Sequence, residues 1–321
     1  MINIIELCKH QNSVCITGHV RPDGDCVGSC LGLYLFLKKA LPECKVNVVL
    51  EESSGSFAGL MGYEEILRVD QCTEPFDVVF VLDSTLERCG EAHSFVETAK
   101  MVINVDHHIS NTGSGNASYI VTDASSTSEL IYDLIQVADP QLQYMCEDIA
   151  QAIYMGVAHD TGIFQYSNTS PKTLRMIADL LEYKFDFSKL VDETFYEKTY
   201  LQSQITGRAI LESIRFMDGK CIVSAIDLKM MHFYNVTSKD FEGIVNQLRI
   251  VKGVECAIFM YETERFEYKV SLRSKGKLDV SKVATYFGGG GHVRAAGCNM
   301  KGTFHDVVNN LSKQIALQME D

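Results

Sequence analysis

The sequence predicts an α/β protein with a doubly wound parallel sheet in its N-terminal domain, followed by a second, smaller mixed α/β domain. In the first half, apolar runs of strand length alternate with helical patterns, and Val78–Leu82 is apolar at every position. Such strands are covered on both faces, as in a parallel sheet between helices. The strand-like runs of the second half are shorter, and 321 residues are about the length of two domains.

The predicted elements of the first domain alternate along the chain. Apolar runs predict strands at 14–17, 45–50, 77–83 and 101–106. Apolar residues at helical spacing predict helices at 27–41, 126–138, 147–157 and 172–182, the last of them after a proline. We therefore assign the first domain to residues 1–185.

The second domain is predicted to begin after a connecting helix. Residues 186–208 are polar, compatible with a helix and free of proline, so they are predicted to form that linker. The second domain then covers 209–321. Its predicted elements are strands at 221–226, 256–262 and 268–274, a helix at 280–286 and a last helix from Phe304 onward.

Composition narrows the class of protein. With 46% hydrophobic and 22% charged residues, the chain is globular rather than disordered. No apolar stretch approaches the roughly 20 residues that span a bilayer, and the N-terminus lacks the features of a signal peptide, so a cytoplasmic location is expected. Eleven cysteines without a CxxC pair favour reduced thiols over a disulfide framework or a zinc cluster.

The acidic charge is not evenly spread. The net charge is −13, but residues 1–205 carry 13 Lys and Arg against 29 Asp and Glu, whereas residues 206–321 carry 16 against 13. An acidic half can be an ordinary solvated surface. It can also hold cations that a mildly basic half complements.

Acids and histidines follow the predicted strands of the first domain. Because the carboxyl ends of parallel strands share one edge of a sheet, groups remote in sequence should converge there. An aspartate after the helical stretch 147–157 is expected to join them. The residues are His19, Asp23 and Asp25, then Asp83, then Asp106, His107 and His108, and finally Asp160.

Each of these residues also has an ordinary structural explanation. Asp25 could be a helix N-cap, His19 a hydrogen-bonded loop residue, and Asp83 and Asp106 caps of the turns that follow their strands. The joint pattern favours a site, since Asn or Ser would cap equally well. Carboxylates with imidazoles suit Mn²⁺ or Mg²⁺. Two such cations roughly 3.5 to 4 Å apart would use all the ligands.

Five motifs together resemble the DHH phosphoesterase family with its DHH-associated C-terminal domain. They are GHVRPDGD, VLDS, DHH at 106–108, HDTG and GGGGHVRAAG. Within that family the chain looks most similar to the bifunctional oligoribonucleases (nanoRNases) that are also phosphatases of 3′-phosphoadenosine 5′-phosphate. The resemblance implies two divalent cations, with Mn²⁺ favoured and Mg²⁺ left open.

The resemblance also implies a role for each residue. His19 and Asp23 would bind the first cation, Asp25, His107 and Asp160 the second, and Asp83 would bridge the two. The implied catalytic residues are His108, which would donate to the scissile phosphate, and Asp106, which would orient its neighbours. His159 departs from the usual family pattern and is interpreted as a structural neighbour rather than a ligand.

The second domain is predicted to bind the rest of the substrate. Four consecutive glycines let the backbone approach a ligand, although a glycine run alone is more often a flexible loop. Arginine side chains nearby match phosphate oxygens. The resemblance assigns this element to the non-scissile phosphate or terminal nucleotide. The predicted substrate-binding residues are Ser271, Arg273, Gly289, Gly290, Gly291, His292 and Arg294.

The favoured function is a two-metal phosphoesterase that degrades very short RNAs or linear dinucleotides to mononucleotides and also removes the 3′-phosphate of phosphoadenosine phosphate. Without tryptophan or a clustered stacking surface, long nucleic acid is not an expected partner, and neither is a membrane. The sequence leaves open whether the protein forms a homodimer. The alternatives are a manganese-dependent pyrophosphatase-like hydrolase and a non-catalytic nucleotide sensor.

Overall fold

The computed structural model describes residues 2–52 and 55–319 and divides the chain into two compact units. The first unit is Met1–Glu197 and the second is Lys198–Asp321. The division falls inside the predicted linker, residues 186–208.

The first unit contains a parallel sheet, as predicted. Within residues 2–52 and 55–197 the sheet has five strands in the order β2-β1-β3-β4-β5, and every neighbouring pair is parallel. β3 is buried at all five positions, which explains its continuous apolar run. The edge strand β5 was not predicted, because it is short and only half-buried. The strands are β1 (Ser13–Thr17), β2 (Lys45–Val48), β3 (Val78–Leu82), β4 (Met101–Asp106) and β5 (Ala117–Ile120).

Helices pack on this sheet and on one another. The long helix α2 begins three residues before its predicted start, because Asp23 caps it and brings Gly24 and Asp25 into the first turn. The backbones of α2 and α5 approach closely at Gly28, where an added Cβ would lie 2.6 Å from the carbonyl oxygen of Ala152. The helices are α1 (Ile4–Cys8), α2 (Gly24–Ala40), α3 (His93–Thr98), α4 (Thr127–Ala138), α5 (Glu147–Asp160), α6 (Pro171–Leu181) and α7 (Phe187–Val191).

The segment between the units differs from the single helix that was predicted. After α7 the chain makes a π-helical turn, Asp192–Tyr196, and then becomes extended at Glu197. A new helix, α8 (Tyr200–Leu211), begins after Thr199. Thr199 and Gln202 form a capping box, in which each side chain accepts a hydrogen bond from the other residue's backbone amide. This T-x-x-Q spacing was a start signal in the sequence that the polar composition concealed.

The second unit is a mixed sheet, also as predicted. In its described part, residues 198–319, six strands follow the order β10-β11-β9-β8-β7-β6. β7 and β8 are parallel and the other pairs are antiparallel. The strands are β6 (Ile214–Phe216), β7 (Cys221–Ile226), β8 (Cys256–Glu264), β9 (Glu267–Ser274), β10 (Gly290–His292) and β11 (Ala295–Lys301).

Helices lie on both faces of this second sheet. One core joins the buried face of β9 to residues such as Val283 and Leu311, and the other joins β7 and β8 to residues such as Ala209 and Leu248. The remaining helices are α9 (Leu228–Tyr234), α10 (Ile244–Arg249), α11 (Val280–Tyr286) and α12 (Phe304–Met319). α11 has the predicted bounds, and α12 begins at the predicted Phe304.

All eleven cysteines fall in the described ranges and are free thiols, eight of them buried. No helix in the described part of the chain is long and apolar enough to cross a membrane.

The contact between α2 and α5 generates a stability prediction. Gly28→Ala should lower the free energy of unfolding by about 1 to 3 kcal/mol, because the new Cβ would meet backbone atoms that cannot move aside. The matched control is Gly207→Ala in α8, where an added Cβ has no neighbour within 4 Å. That change should stabilise the protein by roughly 0.5 to 1 kcal/mol. Urea unfolding followed by circular dichroism measures both, and a neutral Gly28→Ala would contradict the close packing.

Candidate metal centre

The loop after β1 carries three of the predicted ligands around the start of α2. Asp23 is the N-cap, and its Oδ1 accepts hydrogen bonds from the backbone amides of Asp25 (3.0 Å) and Cys26 (3.2 Å). The alternative explanation of Asp25 as the N-cap is therefore wrong. Nδ1 of His19 lies 2.8 Å from the carbonyl oxygen of Val20, which leaves Nε2 to face the acids.

Asp83 directly follows β3 and lies between the loop after β1 and the loop after β4. Its φ of +56° is a left-handed conformation that residues other than glycine seldom adopt. The side chain is almost fully buried. Its Oδ2 lies 3.4 Å from Nε2 of His19, and its Oδ1 lies 3.7 Å from Nε2 of His107. The two oxygens of one carboxylate thus face histidines from two different strand ends.

Asp160 reaches the same edge from a helix. It is the last residue of α5, and its Oδ2 lies 3.0 Å from Nε2 of His107. Oδ2 of Asp25 lies 4.0 Å from the same nitrogen. Nδ1 of His107 is 3.3 Å from the carbonyl oxygen of Ala124, so the ring directs Nε2 toward the carboxylates.

These side chains form donor groups whose ligand atoms lie within 4.8 Å of one another. One group is His19, Asp23 and Asp83, and a second is Asp25, His107 and Asp160. Asp83 also groups with His107 and His108. The structure therefore brings together the six residues that the sequence analysis assigned to metals, and Asp83 connects the first group to the second.

The carboxylates repel one another, and the histidines compensate. Burial, with the negative charges of Asp83 and Asp160, raises the pKa of Asp25. Burial also raises the pKa of Asp83. Although burial alone would lower it, hydrogen bonds to Asp23 and Asp83 raise the pKa of His19 to about 12. Burial opposes the same effect at His107, whose pKa is raised to about 10 by Asp160 and the neighbouring acids.

The N-terminus of α4 holds the buried carboxylate of Asp25. The backbone amides of Thr127 and Ser128 donate to its two oxygens at 2.6 and 2.9 Å, and Oγ1 of Thr127 donates to Asp83 at 3.0 Å. A helix N-terminus stabilises an anion through its free amides and its dipole. These residues were not predicted from the sequence. The available signal was the run SSTSE, in which Ser126 is the N-cap of α4.

Asp106 holds His108. Oδ1 of Asp106 lies 2.7 Å from Nδ1 of His108 and accepts the backbone amides of His107 and His108. This hydrogen bond to Asp106 is the main cause that raises the pKa of His108. Nδ1 of His108 also lies 3.6 Å from Oδ1 of Asp83, and its side chain is half exposed.

His159 lies beside the site. Its ring meets those of Phe57 and Phe195 at centroid distances of 6.1 and 5.9 Å. It also packs against Gly24, where an added Cβ would lie 2.4 Å from the ring. One of its nitrogens groups with Asp23 and Asp160. The aromatic packing is that of a structural neighbour, and the nitrogen still faces the carboxylates.

The donor chemistry fits divalent cations. Four buried or half-buried carboxylates and two imidazoles converge on one place, where cations would relieve the repulsion between the acids. Oxygen and imidazole nitrogen together suit Mn²⁺, and oxygen alone suits Mg²⁺. The opposed oxygens of Asp83 are also what a ligand shared between two ions requires.

In the second unit, Ser271 and Arg273 share one face of β9. They pair in register with Gly297 and Ala295 of β11, so small side chains surround the arginine. Nη1 of Arg273 donates to the carbonyl oxygen of Leu272 at 3.0 Å. On the other face of β9, Tyr268, Val270 and Leu272 enter a hydrophobic core.

The glycine run is a turn and a strand rather than a flexible loop. A Cβ on Gly289 would lie 2.2 Å from the carbonyl oxygen of Gly297, and Gly291 has a φ of +141°, so both are needed for the approach of β10 to β11. Gly290 has open space around it. Arg294 is exposed and donates from Nη1 to the carbonyl oxygen of Leu278 at 2.9 Å. The side chain of His292 lies outside the described part of the structure.

Comparison with known proteins identifies the family. The model of the DHH family, N-terminal domain, matches residues 13–157, and that of the DHHA1 domain matches residues 218–321. A protein of Thermus thermophilus named bifunctional oligoribonuclease and PAP phosphatase NrnA is 31% identical over 293 residues, which cover 91% of this chain and 85% of the relative. The chain belongs to the DHH family. A Bacillus subtilis protein of the same name is 29% identical over 298 residues, which cover 92% of each chain.

Solved structures agree with this assignment. An exopolyphosphatase-related protein from Bacteroides fragilis has a TM-score of 0.87 and 27% identity, and the match covers 97% of this chain and 94% of the other. A structure of exonuclease RecJ bound to manganese shares the fold at 12% identity and a TM-score of 0.54, over 95% of this chain and 90% of the other. The predicted DHH phosphoesterase with a DHHA1 domain is confirmed.

The raised histidine pKa values predict that metal binding releases protons. With pKa values of about 12 and about 10, His19 and His107 are protonated near neutral pH, and a protonated imidazole cannot bind a metal. Mn²⁺ should therefore displace about two protons per molecule near pH 7.5, and its affinity should rise with pH. Isothermal titration calorimetry in buffers of different ionisation enthalpy measures the release. His19→Ala should remove one proton and the exposed control His10→Gln none. Release unchanged in His19→Ala would contradict its role as a ligand.

Proposed function

We propose that this protein is a metal-dependent phosphoesterase that degrades very short oligoribonucleotides or linear dinucleotides to mononucleotides. It also removes the 3′-phosphate of phosphoadenosine phosphate. The observation that carries the proposal is the position of Asp83 between two donor groups, with one carboxylate oxygen toward each. The names of relatives similar along nearly the whole chain support the substrate class.

The proposal includes two divalent cations, with Mn²⁺ favoured and Mg²⁺ as the alternative. His19, Asp23 and Asp83 would hold one of them. The other would be held by Asp25, Asp83, His107 and Asp160. Such a pair neutralises charge on the attacking and leaving oxygens of a phosphoryl group.

His108 is proposed to donate to the phosphoryl oxygens, and Asp106 to hold it for that role. The 2.7 Å contact between Oδ1 of Asp106 and Nδ1 of His108 fixes the ring and raises the pKa of the imidazole. A protonated His108 offers a second N–H, at Nε2. Because its side chain is half exposed, that donor can reach negative charge that develops on a substrate.

The second unit is proposed to recognise the end of the substrate that does not react. Arg273 stands among small side chains on β9 and β11, and Arg294 and Gly290 are exposed nearby in the glycine-rich turn. A guanidinium binds phosphate oxygens through two parallel hydrogen bonds. Ser271, Gly289, Gly291 and His292 complete the proposed binding element.

The charge of the first unit favours a short substrate. A first unit with a large excess of acids repels a long polyanion, whereas a short substrate with few phosphates meets that repulsion only at the metal centre. The cytoplasm is the proposed location.

A substrate panel in Mn²⁺ tests the function. The protein should release mononucleotides from RNAs of about two to five nucleotides and phosphate from phosphoadenosine phosphate, with much slower hydrolysis of pyrophosphate. Asp83→Ala should lower kcat by at least about a thousandfold, because the shared ligand is lost. Asp70→Ala, an exposed aspartate outside the site, is the control. Preference for pyrophosphate would indicate a phosphoanhydride hydrolase, and nucleotide binding without turnover would indicate a sensor.

Arg273→Ala tests the division of labour between the units. It should raise KM for dinucleotides and phosphoadenosine phosphate, and kcat/KM should fall roughly 10- to 150-fold, the equivalent of losing one charged hydrogen bond worth about 1.5 to 3 kcal/mol. A chromogenic phosphodiester without a second phosphate should be hydrolysed almost as before.

The matched control is Lys269→Ala, an exposed cation on the same face of β9. Arg294→Ala should act in the same direction as Arg273→Ala. An equal decline for natural and chromogenic substrates in Arg273→Ala would remove this element from substrate recognition.

A further inference from the structure

Two buried asparagines lie beneath the metal centre. Asn104 is fully buried in β4, between the apolar residues Ile103 and Val105. Asn111 lies in the loop after β4 and is 5% exposed. A buried amide is costly unless its hydrogen bonds are made. Both side chains therefore need hydrogen-bond partners inside the protein.

Asn104 joins the ends of two strands. Its Nδ2 donates to the carbonyl oxygens of Val81 (3.0 Å) and Ser84 (2.7 Å) at the end of β3. Its Oδ1 accepts a hydrogen bond from Nδ2 of Asn111 at 2.9 Å. The amide is thereby fully satisfied, and it ties the backbone on each side of Asp83 to β4.

Asn111 extends this network to the loop that carries the histidines. The two hydrogens of its Nδ2 are shared among three acceptors, which are Oδ1 of Asn104, the carbonyl oxygen of Ser84 (3.1 Å) and Oδ2 of Asp106 (2.7 Å). Its Oδ1 accepts the backbone amide of Gly113 at 2.9 Å and closes the turn. One side chain thus links the end of β3 to the carboxylate that holds His108.

The backbone at Asp83 needs such support. Its left-handed φ is an uncommon conformation for a side chain other than glycine, and such residues persist where the surroundings fix them. The carbonyl oxygen of Ser84, the next residue, accepts hydrogen bonds from both asparagines. The amide of Asp83 is fixed separately by the carbonyl oxygen of Val105 at 2.9 Å.

The second branch of the network ends at His108. With Oδ2 of Asp106 held by Asn111, Oδ1 is directed at the amides of His107 and His108 and at Nδ1 of His108. A continuous series of hydrogen bonds therefore runs from the interior of β4 to the imidazole. Buried series of this kind hold ligands in one orientation, and losing a member typically costs 10- to 100-fold in metal affinity or activity.

We propose that Asn104 and Asn111 are positioning residues of the site. They hold Asp83 in its left-handed conformation between the two donor groups, and they hold the Asp106 carboxylate so that His108 keeps its orientation. The kinetic part of this inference rests on the proposed function, whereas the metal-binding part does not. A purely structural network would instead stabilise the sheet without affecting the orientation of either side chain.

Asn111→Ala is the principal variant. It should lower kcat about 10- to 100-fold with KM within about threefold of the native value, and it should weaken Mn²⁺ binding to the metal-free protein about tenfold, measured by calorimetry. At alkaline pH, where the imidazole is neutral, the ¹⁵N signals of His108, assigned by their loss in His108→Ala, should change from the tautomer with hydrogen on Nδ1 to an average of two tautomers, because Asp106 is no longer fixed.

The matched control is Asn116→Ala. Oδ1 of Asn116 accepts the backbone amide of Val102 at 2.7 Å, at the opposite end of the same strand. This variant should lower the unfolding temperature and leave kcat, Mn²⁺ affinity and the His108 signals unchanged. If Asn111→Ala does not fold, Asn111→Ser, which keeps one donor, should show the same losses in smaller measure.

Native Mn²⁺ affinity and an unchanged His108 tautomer in folded Asn111→Ala or Asn111→Ser would overturn the proposal, and so would losses equal to those of Asn116→Ala. If the native protein hydrolyses none of the proposed substrates, the proposed function fails. Calorimetry and the ¹⁵N spectra still decide the role of the asparagines in that case.

Discussion

Mutual repulsion among carboxylates at one sheet edge is the constraint on which the rest of the first unit depends. Asp25 and Asp83 are both buried, and each raises the energy of the other's charged form. This repulsion is offset by the free backbone amides at the start of α4, which donate to Asp25, and by His19 and His107, whose raised pKa values keep them positively charged. These contacts stabilise the buried acids close to one another at the sheet edge.

Much of this arrangement could be predicted from the sequence, because strand order along the chain and the direction of parallel strands bring strand ends to one edge. Asp160 could be expected there only by assumption, since nothing in a helical pattern tells where its last turn points. Ser128 and Asn111 could not be found this way. Their roles depend on tertiary partners 103 and 27 residues away, and Ser and Asn are common in caps and turns for local reasons.

In the second unit, the glycine run that was predicted to bind a ligand also has a structural role. The glycine run suggests a ligand cradle, yet two of its glycines are required by the approach of β10 to β11. Gly290 is the member whose lack of a side chain leaves open space. Sequence reasoning could not separate these requirements, because close backbone approach to a strand and to a phosphate select the same residue.

The glycine contact between α2 and α5 also has a meaning for the chemistry of the site. Asp25 lies in the first turn of α2 and Asp160 is the last residue of α5, and the two helices touch backbone to backbone about one turn away from these acids. The close approach of the two helices therefore constrains how far apart the two carboxylates can lie. A larger side chain at position 28 would therefore disturb the placement of the two acids as well as the packing of the two helices.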